Sequence, residues 1–203
     1  MTTVSAEQKR EIDDVWGRPQ VCVRLSESFN DVVRLNPLLR IEQNASGEVV
    51  LMSPTGAEGS YRNSEIGIQL GIWAKSYGGR TFDSNVLFCL ANGAKKSPDA
   101  SWITIERWNV LTSEERKGYA PICPDFVVEL RSESDRLIEL QEKMDEYVEN
   151  GVRLGWLIDP LLKQAHIYRP GQPTELLQQP DSVSGENVLP GFVLELSTIW
   201  MDS

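Results

Sequence analysis

Short apolar runs bounded by turn-forming residues alternate with longer amphipathic stretches along this chain. Two such runs, at 39–43 and 48–52, flank the tetrapeptide NASG, which predicts a β-hairpin. Further strands are predicted near 81–82, 86–90, 101–105, 124–132, 154–158 and 164–168, with one more strand pair after residue 173. These runs are too short for helices, so the pattern predicts a protein rich in strands.

Helical periodicity is present in three stretches. They lie at 26–36 after a capping Ser26, at 58–77 before Gly78-Gly79, and at 136–150 before Gly151. The strand–helix–strand order at 124–158 indicates a βαβ crossover, or an antiparallel equivalent at a sheet edge. We therefore predict an α/β (α+β) fold, a mixed sheet flanked by helices. Residues 1–25 are predicted to be an extended or poorly ordered arm, and 26–203 one domain.

The composition is that of an ordinary globular protein. Of 203 residues, 40% are apolar and 25% charged, and no apolar segment approaches the roughly 20 residues that a membrane span needs. The first 14 residues are charged and lack the apolar core of a signal peptide. We therefore expect a cytoplasmic protein that does not enter a membrane.

Several kinds of chemistry are excluded by residue counts. The single histidine, His166, and three cysteines without a CxxC pair rule out most zinc sites and any His-based relay that does not use His166. The formal net charge of −10 disfavours non-specific binding to polyanions. Chemistry must then come from carboxylates, Lys, Arg, Tyr, Ser or a bound metal.

The strand PDFVVELRS contains the least expected side chain in the sequence. Alternation places Asp125, Val127, Glu129 and Arg131 on one face. Strands inside an α/β sheet are usually apolar on both faces, so a buried Glu129 is costly unless it is paired or binds a metal. Two simpler interpretations stay open: an edge strand with one wet face, or a Glu129–Arg131 pair.

Other candidate residues lie on neighbouring elements. Pro98-Asp99 begins the preceding strand, and if the two strands are neighbours, Asp99 and Glu129 meet. A divalent cation usually relieves such a pair of carboxylates, and oxygen ligands favour Mg²⁺ or Mn²⁺. Alone, an Asp after proline is as often a turn cap. Lys143 flanks the apolar stripe of helix 136–150, where a lysine commonly extends to solvent. Glu65 on helix 58–77 would ordinarily face solvent.

Four segments together carry a family resemblance: SPTG at 53–56, NSEI at 63–66, NGAKKSPDASWI at 92–103, and PDFVVELRSESDRLIELQEKMDEYVENGVRLGWLIDP at 124–160. The chain resembles, from about Phe29 to Trp200, the Uma-two family of putative restriction endonucleases in the PD-(D/E)xK nuclease superfamily. The resemblance implies a restriction-endonuclease-like core. It also implies a Mg²⁺- or Mn²⁺-dependent endonuclease that hydrolyses nucleic acid, DNA in the first place.

The resemblance also assigns site residues. Asp99, Glu129 and Glu65 correspond to the metal-binding acids, and Lys143 to a catalytic lysine supplied by the following helix. Arg131 stands where the superfamily usually has its lysine; an arginine cannot act as a base, but it can contact a phosphate. A homodimer that makes two cuts is implied by analogy alone. The alternative function is a catalytically inactive nuclease-fold module that binds nucleic acid or protein.

Overall fold

The computed structural model describes residues 22–23, 28–36, 39–52 and 54–200. Within them the helices are α1 Phe29–Leu35, α2 Ala57–Tyr77, α3 Ile105–Val110, α4 Ser113–Lys117 and α5 Leu137–Glu149. The strands are β1 Cys22–Val23, β2 Ile41–Gln43, β3 Val49–Leu51, β4 Arg80–Asp83, β5 Phe88–Cys89, β6 Lys95–Lys96, β7 Ala100–Ile103, β8 Phe126–Leu130, β9 Leu154–Asp159, β10 Gln164–Tyr168, β11 Glu175–Gln178, β12 Ser182–Ser184 and β13 Val193–Glu195.

A six-stranded mixed sheet, in the order β11-β10-β9-β8-β7-β4, forms the centre of the fold. Its neighbours are antiparallel except β8 and β9, which are parallel and are joined through α5. Two parallel strands cannot be joined by a tight turn, so a helical crossover is required between them. The predicted βαβ unit at 124–158 is therefore confirmed in its parallel form.

The alternation along β8 divides the core into two layers. Phe126 and Val128 pack with Ile66 and Leu70 of α2 on one face of the sheet. Val127 packs on the other face, in a cluster that includes Met144 and Tyr147 of α5. Since all five residues of β8 are buried, the strand is internal, and the interpretation of an edge strand with a wet face is wrong.

A second sheet, in the order β1-β3-β2-β6-β5, lies earlier in the chain. Its β2–β3 hairpin confirms the predicted one, and Gly47 in the turn has a φ of 85°, a conformation that favours glycine. Phe29 of α1 packs with Ile41 and Val49 in a small separate core. Strands β2 and β6 carry polar side chains that contact residues of α5.

Some boundaries differ from the sequence prediction. The hydroxyl of Ser28, not Ser26, caps α1 by accepting from the Asp31 N–H, and Ser26 lies outside the described residues. The predicted strand 101–105 ends at Ile103 because Thr104 caps α3. Of the predicted arm, only 22–23 are described, and they pair with β3. Among the described helices, none is both long and apolar enough to cross a membrane.

Candidate active site

The pairing of β7 with β8 brings Asp99 next to Glu129. The strands are antiparallel with Ala100 opposite Val128, so the next positions outward are Asp99 and Glu129. Asp99 Oδ2 also accepts a hydrogen bond from the Leu130 N–H at 2.9 Å. The strands are neighbours, as the expectation required, and their pairing places Asp99 opposite Glu129.

Asp99 is a partly buried carboxylate that forms no ion pair with the described residues. Burial raises its pKa, against the opposing effects of the Leu130 N–H and the positive charge of Lys143. Among the described residues, no lysine or arginine nitrogen lies within 4.0 Å of it, and its side-chain partner is the Asn63 amide at 3.3 Å. Within the part of the chain that the structure describes, no close ion pair offsets negative charge on Asp99.

Lys143 approaches Glu129 from α5. Glu129 lies on the same face of β8 as Val127, and that face packs against the helix turn that contains Met144 and Tyr147. The Lys143 Nζ is 2.8 Å from Glu129 and 2.9 Å from Glu42, and its side chain is only 10% exposed. The simpler interpretation of Lys143, a lysine that extends to solvent, is therefore wrong.

The pKa of Glu129 is strongly perturbed. Burial raises it to about 8 against the opposing positive charge of Lys143, and the charges of Asp99 and Glu42 also raise it. The Tyr147 hydroxyl also donates a hydrogen bond to Glu129 at 3.2 Å. Burial lowers the pKa of Lys143, but Glu129 and Glu42 together raise it by more. The net shift is therefore upward, and the ammonium stays protonated.

The structure adds two residues that sequence reasoning missed. Glu42, 3% exposed, reaches Lys143 from β2 of the second sheet, and nothing in its local pattern distinguishes it from a solvated strand residue. Asn63 of α2 donates to Asp99, while its own Oδ1 is buried and has no partner among the described residues. The sequence signal for Asn63 is its place in the NSEI segment at 63–66, but the family resemblance assigns the role in that segment to Glu65.

Glu65 is not brought to this group. Two residues along a helix correspond to a rotation of about 200°, so Asn63 and Glu65 of α2 face different directions. Asn63 lines the cavity that contains Asp99 and Glu129, whereas Glu65 does not. In this structure the helix contributes the Asn63 amide to the group, and a role of Glu65 in the site stays a prediction.

Arg131 has a structural partner of its own. Its Nη1 lies 2.7 Å from Asp159, a fully buried carboxylate at the end of β9, and its Nε donates to the Asp135 carbonyl. The open interpretation of a Glu129–Arg131 pair is therefore wrong. Arg131 still lines the cavity, but its Nε and Nη1 donors are directed into the protein.

The comparisons with known proteins bear on this geometry. A family model, Uma2, described as "Putative restriction endonuclease", matches residues 26–197. The chain belongs to the Uma2 family. A crystal structure at 1.96 Å resolution, of "a putative nuclease belonging to DUF820" from Anabaena variabilis, is similar with a TM-score of 0.67 and 22% identity. The match covers 79% of this chain and 89% of that one, and at this identity it shows the fold alone. No curated protein matches the chain.

Whether a metal ion fits this site depends on the side-chain oxygens that could bind it. In the described part of the chain, no group of three or more His, Cys, Asp or Glu is arranged to hold a metal, so the expected three-acid site with Glu65 is not formed. Mg²⁺, however, is commonly bound by one or two carboxylates and keeps several waters. Asp99, Glu129 and the unpartnered Asn63 Oδ1 fit such a hydrated cation.

The surroundings of the site are acidic. A cavity of about 2340 Å³ contains the group, and of the described residues that line it eleven are acidic and six are basic. Two of the basic ones, Lys96 and Lys143, are each within 4.0 Å of two glutamates. A polyanion would meet repulsion here unless cations are bound, because few positive side chains are available to contact phosphates.

Proposed function

We propose that this protein is a metal-dependent nuclease that hydrolyses phosphodiester bonds of nucleic acid, with DNA as the first substrate to test. One observation carries the proposal: two carboxylates on adjacent strands and one buried lysine face the same large cavity. Asp99 and Glu129 occupy neighbouring register positions, and the Lys143 ammonium lies 2.8 Å from Glu129. Membership of the Uma2 family supports it.

The three side chains have separate roles in this proposal. Asp99 and Glu129 would hold Mg²⁺ or Mn²⁺, which polarises a phosphate and lowers the pKa of a nearby water. Lys143 is protonated, because two glutamates raise its pKa. Its N–H donors are directed at Glu129, Glu42 and the Ser97 carbonyl, so it would serve as a positive charge beside the phosphate rather than as a base. In the reaction a water oxygen would bond to phosphorus while one P–O ester bond breaks. The water would give its proton to solvent, the departing oxygen would take up a proton, and Lys143 would offset the negative charge that develops.

The decisive experiment measures cleavage of single- and double-stranded DNA and RNA with Mg²⁺ and with Mn²⁺. We expect cation-dependent cleavage of at least one substrate by the wild type and none by Asp99→Asn. Asp125→Asn is the matched control, since Asp125 also follows a proline before a strand but is paired with Arg107 and Arg153. Cleavage by Asp99→Asn at the wild-type rate would overturn the site assignment.

The second candidate function is an inactive module that binds nucleic acid or protein. The acidic cavity lining and the net charge of −10 favour it, because both weaken contacts with a phosphate backbone. Calorimetric titration with Mn²⁺ separates the two functions. A nuclease binds the cation through Asp99 and loses binding in Asp99→Asn, whereas the inactive module shows neither cation binding at this group nor cleavage.

A further inference from the structure

A carboxylate from the second sheet extends into the candidate site in the larger sheet. Glu42 lies on β2, and its Oε1 is 2.9 Å from the Lys143 Nζ. The same oxygen accepts a hydrogen bond from the Ser97 N–H at 2.9 Å. One buried oxygen atom therefore contacts both the lysine and the chain segment that leads to Asp99.

These contacts link two parts of the site that come from distant elements. Ser97 precedes Asp99 by two residues, and its carbonyl oxygen also accepts from Lys143 at 3.4 Å. Lys143 is thus held between Glu129 on β8, Glu42 on β2 and the Ser97 carbonyl. Without Glu42, the ammonium would keep one carboxylate partner and one weak carbonyl contact.

Glu42 is itself firmly placed. Its neighbour Gln43 pairs with Lys95 of β6, which joins β2 to the strand just before Ser97. Lys96 Nζ lies 3.9 Å from Glu42 and is anchored by Glu146 at 3.1 Å and by the Asn44 side chain at 2.8 Å. A carboxylate that is 3% exposed is costly to bury, and these partners offset that cost.

We propose that Glu42 is a positioning residue of the site: it fixes the Lys143 ammonium beside Glu129 and fixes the Ser97 segment that carries Asp99. The assignment rests on the proposed function for its catalytic consequence, but the positioning itself is a property of the protein without substrate. Among the described residues, Glu42 bonds to Lys143 and the Ser97 N–H and to neither Asp99 nor Glu129, so it acts through Lys143 and Ser97.

The kinetic test is a double-mutant cycle. Glu42→Gln keeps the shape and an acceptor for the Ser97 N–H but removes the charge, and we expect kcat to fall about 10- to 100-fold with KM nearly unchanged. In a Lys143→Met background, Glu42→Gln should have little further effect, since the two side chains act as one unit. Glu142→Gln, an exposed acid of the same cavity beside Lys143 in sequence, is the matched control and should leave kcat unchanged.

A second measurement does not depend on activity. A buried, paired ammonium exchanges its protons slowly enough to give a ¹H–¹⁵N signal for the lysine side chain, assigned here by its loss in Lys143→Met. We expect this signal in the wild type and in Glu142→Gln, and its loss or displacement in Glu42→Gln. If Glu42→Gln does not fold, Glu42→Asp, which keeps the charge but shortens the side chain, is measured in the same way and should displace the signal.

The outcomes distinguish this inference from the proposed function. An unchanged Lys143 signal in a folded Glu42 variant overturns the positioning role, whatever the activity. Independent, multiplicative effects of Glu42→Gln and Lys143→Met on kcat also overturn it. If the wild type cleaves no nucleic acid, the proposed function fails, and the ammonium signal alone decides whether Glu42 positions Lys143.

Discussion

Replacement of Asp99 by asparagine should leave the metal-free protein at least as stable as the wild type. The reason is that the aspartates of the two Pro-Asp pairs, Asp99 and Asp125, have opposite electrostatic surroundings. Asp99 has no close cation among the described residues, and burial raises its pKa. Asp125 is fully buried, but it faces Arg107 at 2.9 Å and accepts from the Thr104 N–H.

The hydrogen bonds of Asp99 can survive the substitution. An asparagine oxygen can still accept from the Leu130 N–H, and its NH₂ group would then face Asn63. The Asn63 Oδ1 has no partner among the described residues, so a flip of that amide would let it accept the new donor. We expect a free energy of unfolding within about 0.5 kcal/mol of wild type, or higher, measured by urea unfolding at neutral pH.

Asp125→Asn should behave in the opposite way. It removes the ion pair with Arg107 and weakens the hydrogen bond that Asp125 accepts from the Thr104 N–H, at a cost of about 2 kcal/mol and a Tm lower by about 4–8 °C. Both arginines that face Asp125 are partly solvated, 39% and 50% exposed, which keeps the cost below that of a fully buried pair.

Addition of Mn²⁺ completes the comparison. At one hundred times its Kd, a cation that binds only the folded state stabilises it by about 2.7 kcal/mol, which is about 5–11 °C in Tm for this chain length. Wild type and Asp125→Asn should show this shift, and Asp99→Asn should not. A loss of several kcal/mol in metal-free Asp99→Asn, or an equal Mn²⁺ shift in that variant, would refute the reasoning.

Further predictions concern pH and individual side chains of the site. Burial raises the Glu129 pKa to about 8, and Mn²⁺ must displace that proton, so Mn²⁺ affinity measured by calorimetry should rise from pH 6 to 8 and then level off; a flat profile contradicts this. Lys143→Met should reduce cleavage at least about 100-fold with unchanged Mn²⁺ binding. Arg131→Met should mainly lower stability, by about 3 kcal/mol in urea unfolding, because the buried carboxylate of Asp159 loses its ion-pair partner. Asn63→Ala should weaken Mn²⁺ binding about tenfold while Glu65→Gln leaves it unchanged, and the reverse order would restore Glu65 to the site.

The stability of the metal-free protein should also depend on pH through Glu129. Its pKa is higher in the folded state than its value near 4.5 when exposed, so the folded state binds this proton more tightly. The stabilisation of the folded state by the Glu129 proton is present in full below about pH 4.5 and is lost as the pH rises through about 8. Comparison of unfolding curves of wild type and Glu129→Gln across this range measures it, and parallel pH profiles would contradict the assignment.

Much of the architecture could be predicted from the sequence because it depends on local periodicity. The alternation in FVVEL and the helical spacing at 137–149 determine which faces are apolar, and those faces must be buried. The same alternation identified Glu129 as a charge in an apolar strand. The exact helix caps differed, because Ser26 and Ser28 are both suitable capping residues and only the path of the chain selects one.

Partners of the site residues were decided by the tertiary structure. Sequence could mark Asp99, Glu129 and Lys143 as candidates, but strand order determines that β8 is internal and that Asp99 lies beside Glu129. Glu42 is about one hundred residues from Lys143 in sequence, and only the packing of two sheets brings them together.

The rotation of α2 about its axis decides which of its polar residues reaches the site. Asn63 lies three residues before Ile66 and seven before Leu70, so the packing of that apolar stripe into the core directs Asn63 to Asp99. The spacing could be read from the sequence, but that this helix face meets Asp99 was decided by the fold. Arg131 likewise pairs with Asp159 because the parallel β8–β9 pairing brings the ends of both strands together. Sequence thus determined which residues are unusual, and the long-range contacts of the folded chain determined what each one binds, because pairing energies depend on distances that only the fold sets.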